Sequence, residues 1–193
     1  MSVIRSFGVQ TIASSNVSQP LFGTTLGANG SLAPDQFTGN TKPGSNEALS
    51  YIPVSSSKGF RVGDRVAIAP KGNFAYPYSS IDGGIIKTIT THSPFDIIIV
   101  QGLQNNHVSG EYFVLNQPFA NLVIDRQTSL GNIYIGNGSD VSPTSAALFG
   151  IIQSTATEPF RRFSGSQFNP YQTIEFWIYG TGTDTFIASW DEF

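Results

Sequence analysis

Apolar and polar residues alternate along most of this chain with a period of two. Sustained 3.6-residue periodicity is absent, so the pattern predicts strands almost throughout. The clearest stretch is Leu122 to Asp140. Leu122, Val123 and Ile124 precede the charges of Asp125 and Arg126, and then Ile133 and Ile135 point one way while Asn132 and Tyr134 point the other. Gly136 and Gly138 close the second strand with residues able to take positive φ, so the spacing predicts a hairpin.

In chain order, residues 2 to 13 alternate in two phases, Val3, Phe7 and Val9 against Ile4 and Ile12, as a strand with a bulge near Gly8 would. Ser14 to Ser50 is rich in Gly, Ser, Asn and Pro, with Leu21, Phe22, Leu26 and Phe37 scattered through it. That composition reads as a long arm, and a connection of this length implies either hidden strand or contact with a neighbouring subunit. From Tyr51 to Leu115, turn signals recur about every 8–12 residues, the spacing of a small meandering barrel. Its strands are read at Tyr51–Val54, Phe60–Ile68, Ile85–Thr90, Phe95–Val100 and Glu111–Leu115. Val62, Val66 and Ile68 share a phase, and Asp64 beside Gly63 is placed to accept turn N–H groups. Pro118 interrupts strand character and puts a boundary near residues 116 to 120. Val141 to Phe149 is the best candidate for a helical turn. Ile174–Tyr179 and Thr185–Trp190, joined by Gly-Thr-Gly-Thr, read as a closing hairpin with Trp177 and Tyr179 outward. The reading is therefore all-β: an N-terminal strand and extended arm (1–50), a small β-barrel (51–115) and a C-terminal β-sandwich-like unit (116–193).

Composition narrows the possible partners. The 193 residues include no cysteine, which excludes disulfides and thiolate sites, and 39% are hydrophobic, with fifteen Phe to fill a core. Only 12% are charged, against about 25% in an average globular protein, and the net charge is −3. A surface so polar and so weakly charged lacks the basic footprint of a nucleic-acid binder. No apolar run approaches the roughly 20 residues of a membrane span, and the N-terminus lacks a signal-peptide core, so the expectation is a soluble protein made in a cytoplasm.

Candidate chemistry is sparse. His92 and His107 are the only histidines; Glu111 lies four residues after His107, but in strand-rich sequence the pair need not meet, and the preferred reading is a loop histidine. Asp140 and Asp184 sit in glycine turns that bring too few acids for calcium, so Asx-turn capping explains them better. The carboxylate pairs Asp82 with Asp96 and Glu175 with Asp184 would meet only by accident of fold. No nucleophile elbow, phosphate loop or dinucleotide fingerprint occurs, so neither an enzyme nor a cofactor is expected. Phe74, Tyr76 and Tyr78 alternate with small residues, which suits a core or subunit interface and leaves sugar stacking open. Arg161, Arg162 and Phe163 follow Phe160 and suit either acidic groups on a partner or a solvated loop with its rings tucked down.

Several segments carry a family resemblance: Phe7-Gly8, Pro20-Leu21-Phe22-Gly23-Thr24, Phe60-Arg61-Val62-Gly63-Asp64-Arg65-Val66, Gly131-Asn132-Ile133-Tyr134-Ile135-Gly136, Trp177-Ile178-Tyr179-Gly180-Thr181 and Asp184-Thr185-Phe186. In this order they resemble small structural proteins of tailed-bacteriophage virions, of the capsid decoration or cement type. The resemblance implies a virion protein on the capsid surface, without catalytic role or cofactor. Its partners would be the major capsid protein and copies of itself, as a homotrimer, and not nucleic acid or membrane. Leu21, Phe22, Leu26, Phe37, Arg161, Arg162 and Phe163 are the expected partner contacts. A neck, head-completion or tail component of the same virion is the alternative, and a host-glycan-binding virion protein the second.

Overall fold

The computed structural model describes residues 3–12, 18–27, 49–69, 82–91, 94–105, 107–128, 130–137, 141–146, 148–155, 157, 160–163 and 171–192. Among them the chain forms, in order, β1 (Val3–Thr11), β2 (Gln19–Pro20), β3 (Gly23–Thr25), β4 (Leu49–Val54), β5 (Arg65–Ala69), β6 (Asp82–Thr90), β7 (Asp96–Gln101), β8 (Tyr112–Leu115), β9 (Pro118–Arg126), β10 (Ile133–Asn137), β11 (Leu148–Ile152), β12 (Phe160–Phe163), β13 (Tyr171–Gln172), β14 (Phe176–Gly180) and β15 (Thr185–Glu192). The fold is all-β, as the alternation predicts. The described helical turn is a 3-10 turn at Thr173–Glu175, boxed by Gln172 and Glu175, while residues 142 to 144 of the stretch read as helical make an ordinary turn.

The strands fall into two units. One takes the described residues of β1 and β2 together with everything from Pro118 onward; the other takes Gly23 to Gln117, apart from residues outside the description. The first unit is a sandwich of two antiparallel sheets. Sheet A runs β1-β15-β9-β12, with β13 also on β9, and sheet B runs β11-β10-β14-β2. Between them lies an aromatic core. Phe22 stands 5.1 Å from Phe119 and 4.7 Å from Trp190, and Phe119 stands 5.3 Å from Phe176, all at steep or tilted ring angles. Such edge-to-face contacts add to area burial worth about 1.5–3 kcal/mol per large side chain. In β1 the register slips between Ser6 and Val9, and Gly8 sits at φ +74, so the predicted bulge is present.

Two expectations fail here for one reason. Residues 122–140 are not a hairpin, because β9 belongs to sheet A and β10 to sheet B. Likewise β14 belongs to sheet B and β15 to sheet A, so the Gly-Thr-Gly-Thr segment crosses between sheets instead of turning back within one. The two crossovers are tied together. Asp184 is fully buried and accepts the backbone N–H of Leu130 at 3.0 Å and of Gly131 at 2.9 Å, with the Thr128 hydroxyl at 3.3 Å. Thr181 N donates to the Asn132 carbonyl, and Asn132 N donates to the Thr181 hydroxyl. Asp184 therefore caps another segment's amides and not its own turn. β14, an inner strand of sheet B between β10 and β2, is buried along its whole length: Trp177 is 0% exposed with Nε1 donating to the Ile174 carbonyl, and Tyr179 is buried too, so neither ring faces outward as the alternation implied.

The second unit is a single curled sheet, β3-β8-β5-β6-β7-β4. Its two outer strands meet at a seam: Leu26 bridges Val54, Gly27 N donates to the Pro53 carbonyl at 2.8 Å, and Ser55 N donates to the Thr25 carbonyl at 2.9 Å. This gives the barrel-like closure expected of the region. Ile52, Val66, Ile68, Ile86, Ile98, Val100, Phe113 and Leu115 fill it, and Phe60 packs on Phe113 at 5.1 Å. At the entry to β5, Gly63 takes φ +94 and Asp64 accepts the Arg61 N–H at 2.7 Å, as its sequence predicts. Val62, however, is 65% exposed, because the strand starts only at Arg65 and Val62 stays in the turn.

Candidate interaction surface

Residues directly opposite each other on antiparallel strands share a face, so the register of sheet A fixes what its outer side presents. Phe160 lies opposite Asp125, Asp125 opposite Ile187, and Ile187 opposite Val9. One row thus crosses four strands, roughly 14 Å at the usual strand spacing. The next row holds Arg162, Val123, Ser189 and Ser6, and beyond it Ile4 lies opposite Asp191. The alternate residues, Leu122, Ile124, Phe186, Ala188 and Trp190, are buried in the sandwich, so this face points away from the core.

Its composition is unusual for a face in water. Ile4 is 73% exposed, Val9 57% and Phe160 38%, while Val123 and Ile187 are half-buried. An antiparallel sheet with one solvated face ordinarily turns polar residues outward. Here the charges are Asp125, Arg162 and Asp191. Asp191 accepts a hydrogen bond from Asn121 Nδ2 at 2.8 Å, and the Arg162 guanidinium lies 5.4 Å from the centre of the Phe160 ring. Arg162 therefore lays its charge over an aromatic at the edge of an apolar row.

The residues singled out from sequence divide sharply. Arg162 belongs to this face. Arg161 and Phe163 point to the other side of β12: Phe163 packs 5.6 Å from Phe176, and Arg161 lies against β11, where its Nε would stand 3.0 Å from a Cβ added to Gly150. Leu21, Phe22 and Leu26 are buried at 0%, 1% and 3%, so as partner contacts they are corrected: these side chains fill the chain's own units, Phe22 against Phe119 and Trp190. Phe37, Phe74, Tyr76, Tyr78, His92 and Asp140 lie outside the described residues. Sequence reading passed over Val9, Ile187 and Val123 because each alternates within a strand whose other phase is equally apolar. The exposed pair Asp125 and Arg162 were the available clue to which phase is outward.

A second group of polar side chains assembles in the barrel unit. His107 and Glu111, whose spacing in strand-rich sequence did not require them to meet, do so: His107 Nδ1 lies 3.1 Å from Glu111 Oε2, and Nε2 lies 3.0 Å from Asp82 Oδ2. No helix brings them together. Gly110 takes φ +86 in the turn between them, which folds Glu111 back onto the ring. Asp82 also accepts the backbone N–H of Gln104 at 2.8 Å and of Asn105 at 2.7 Å, and Glu111 accepts that of Val108 at 2.9 Å. Burial pushes the Asp82 carboxyl up, but the His107 hydrogen bond, the two amides and the nearby ring charge outweigh it and hold the group below its ordinary value. Asp96, read as a possible partner of Asp82, instead accepts the N–H and hydroxyl of Ser57, both at 2.7 Å. Among the described residues no set of three His, Asp or Glu is arranged to hold a metal ion, and no helix is long and apolar enough to cross a membrane. No family model, curated protein or solved structure matches the chain.

Proposed function

We propose that the chain is a structural protein of a tailed-bacteriophage virion, of the decoration or cement type, that packs the outer face of sheet A against the major capsid protein and associates with copies of itself as a homotrimer. The observation that supports this reading is the apolar, weakly charged outer face, with Ile4, Val9 and Phe160 standing in water and Arg162 at its rim. Leaving such side chains exposed forgoes about 25 cal/mol for every Å² of apolar surface, which burial against a partner regains. The low overall charge suits permanent packing in a lattice more than steered encounters. The virion itself is supplied by the short segments that resemble phage structural proteins, among them Gly131 to Gly136 and Trp177 to Thr181.

The deciding experiment is quantitative mass spectrometry of purified particles for the ratio of this chain to the major capsid protein, followed by capsid retention of the double variant V9D/F160D. A ratio matching the local symmetry axes of the capsid, with retention lost in a variant of unchanged circular dichroism, is the expected result. A single ring's worth of copies transfers the protein to the neck or tail. Absence from particles, or a monomer without affinity for capsids, overturns the proposal.

A further inference from the structure

The His107 cluster serves none of the packing just described and sits where the barrel closes. Ionised carboxylates only accept hydrogen bonds, and each nitrogen of the ring faces one: Asp82 at 3.0 Å and Glu111 at 3.1 Å. A neutral imidazole carries a single N–H and so satisfies one of these contacts while aiming a lone pair at the other carboxylate. Only the imidazolium donates to both. Water is poorly placed to substitute, because His107 is 8% exposed and the Asp82 side chain 4%. Among the described residues, the sheet partners of Asp82 and the strands beside it bring uncharged groups to it. Within the sheet Asp82 lies opposite Ile68 of β5, β7 ends in Gln101, and β3 contributes the main chain of Leu26.

That last contact gives the cluster its leverage. Leu26 N donates to the Glu111 carbonyl at 2.8 Å, Gly110 N donates to the Leu26 carbonyl at 3.2 Å, and Leu26 is the residue that bridges Val54 to close the sheet. We infer that Asp82, His107 and Glu111 form a proton-dependent latch on the barrel seam: the doubly protonated ring fastens the Val108–Glu111 turn to β6 and thereby steadies Leu26, and loss of one ring proton lets the Glu111 side go.

The side that yields follows from burial and donor count. Asp82 keeps two amide donors and lies deeper than Glu111, whose side chain is 15% exposed and whose remaining side-chain donor is Val108 N. Leaving the deeper carboxylate without its ring donor costs more, so the remaining proton stays on Nε2 and the Nδ1 lone pair turns on Glu111. The amides at Gln104 and Asn105 keep their acceptor, while those at Val108, Gly110 and Leu26 loosen together.

The test is amide hydrogen exchange of the full chain by NMR, with the ring nitrogens of His107 followed in the same samples as pH is raised. Protection factors at Val108, Gly110 and Leu26 are expected to fall roughly ten-fold or more in step with loss of the ring proton, with Gln104 and Asn105 steady. In Glu111→Gln the side-chain amide accepts from a protonated Nδ1 or donates to a bare one, so the turn stays closed and the pH dependence disappears. A fall of equal size in Glu111→Gln, or protection at Val108 and Gly110 that ignores the ring's protonation, overturns the latch. Nitrogen shifts of a neutral ring while the turn is fully protected would do so equally.

Discussion

Both units use a buried aspartate to hold a distant segment by its backbone amides, yet the two aspartates differ in what completes their shell. Asp184 in the sandwich takes the amides of Leu130 and Gly131 and the Thr128 hydroxyl, all neutral donors, and so pins two sheet crossovers together. Asp82 in the barrel takes the amides of Gln104 and Asn105 but adds the ring of His107, which ties it in turn to Glu111. The same carboxylate device is a fixed staple where its partners cannot change charge and an adjustable one where a histidine is built in. Neutral donors give permanence; a titratable donor makes the joint conditional.

The contrast breaks first at Asp184. Asp184→Ala leaves the buried amide of Gly131, the part-buried amide of Leu130 and the Thr128 hydroxyl without their acceptor, at about 1–3 kcal/mol for a buried group and less for the others, so denaturant unfolding should show a loss of about 3 kcal/mol. Hydrogen exchange should report it first at Leu130 and Gly131. In the barrel, Asp82→Ala removes the acceptor of Gln104, Asn105 and His107. About 2 kcal/mol is expected, with exchange raised at Gln104 and Asn105 and the crossovers of the sandwich unaffected, as hydrogen exchange of the same variant would show.

Acid sharpens the comparison further. The native carboxyl of Asp82 is held below its unfolded value of 3.8, so its contribution is complete above that pH and is lost as pH falls through the lowered native value. An acid titration of barrel exchange should show this loss in the wild type and not in Asp82→Asn. The smallest effect belongs to the outer face: Phe160→Ser and Val9→Ser should change stability by no more than about 0.5 kcal/mol in thermal or denaturant unfolding, because neither side chain supports the core. A large loss at either position would show that the face is sealed within the chain.

What could be read from the sequence was mostly local. The bulge at Gly8, the Asp64 turn and the strands of the barrel follow from turn chemistry and alternation a few residues long. Which strands pair was not legible where a polar glycine turn serves equally for a hairpin and for a crossover. Asp184 decides between them through amides 53 and 54 residues away, a separation no local pattern encodes. Leu21 and Phe22 were misleading for a related reason. Their neighbours are the Gly, Ser and Pro of an arm, but both side chains are buried, and that of Phe22 reaches rings contributed by β9, β14 and β15. His107 and Glu111 meet through a positive-φ glycine turn instead of the helix that would have made their spacing readable. The candidate face was half visible, in Arg162 and the alternation of β9, and its other half waited on knowing that β1 lies beside β15.

That neighbour relation also sets a timetable. Arg5 of β1 pairs with Glu192 of β15, 187 residues later, and β15 stands between β1 and β9 in sheet A. The strands of the barrel, β3 to β8, follow one another directly along the chain and can close while synthesis continues. At about 5–20 residues per second, β1 spends roughly 10–40 s on the growing chain before its partner exists. During that interval it is an unpaired strand, and a glycine at its middle, free to take the positive φ it has in the folded sheet, interrupts the regular ladder that the same strand of another nascent chain would need.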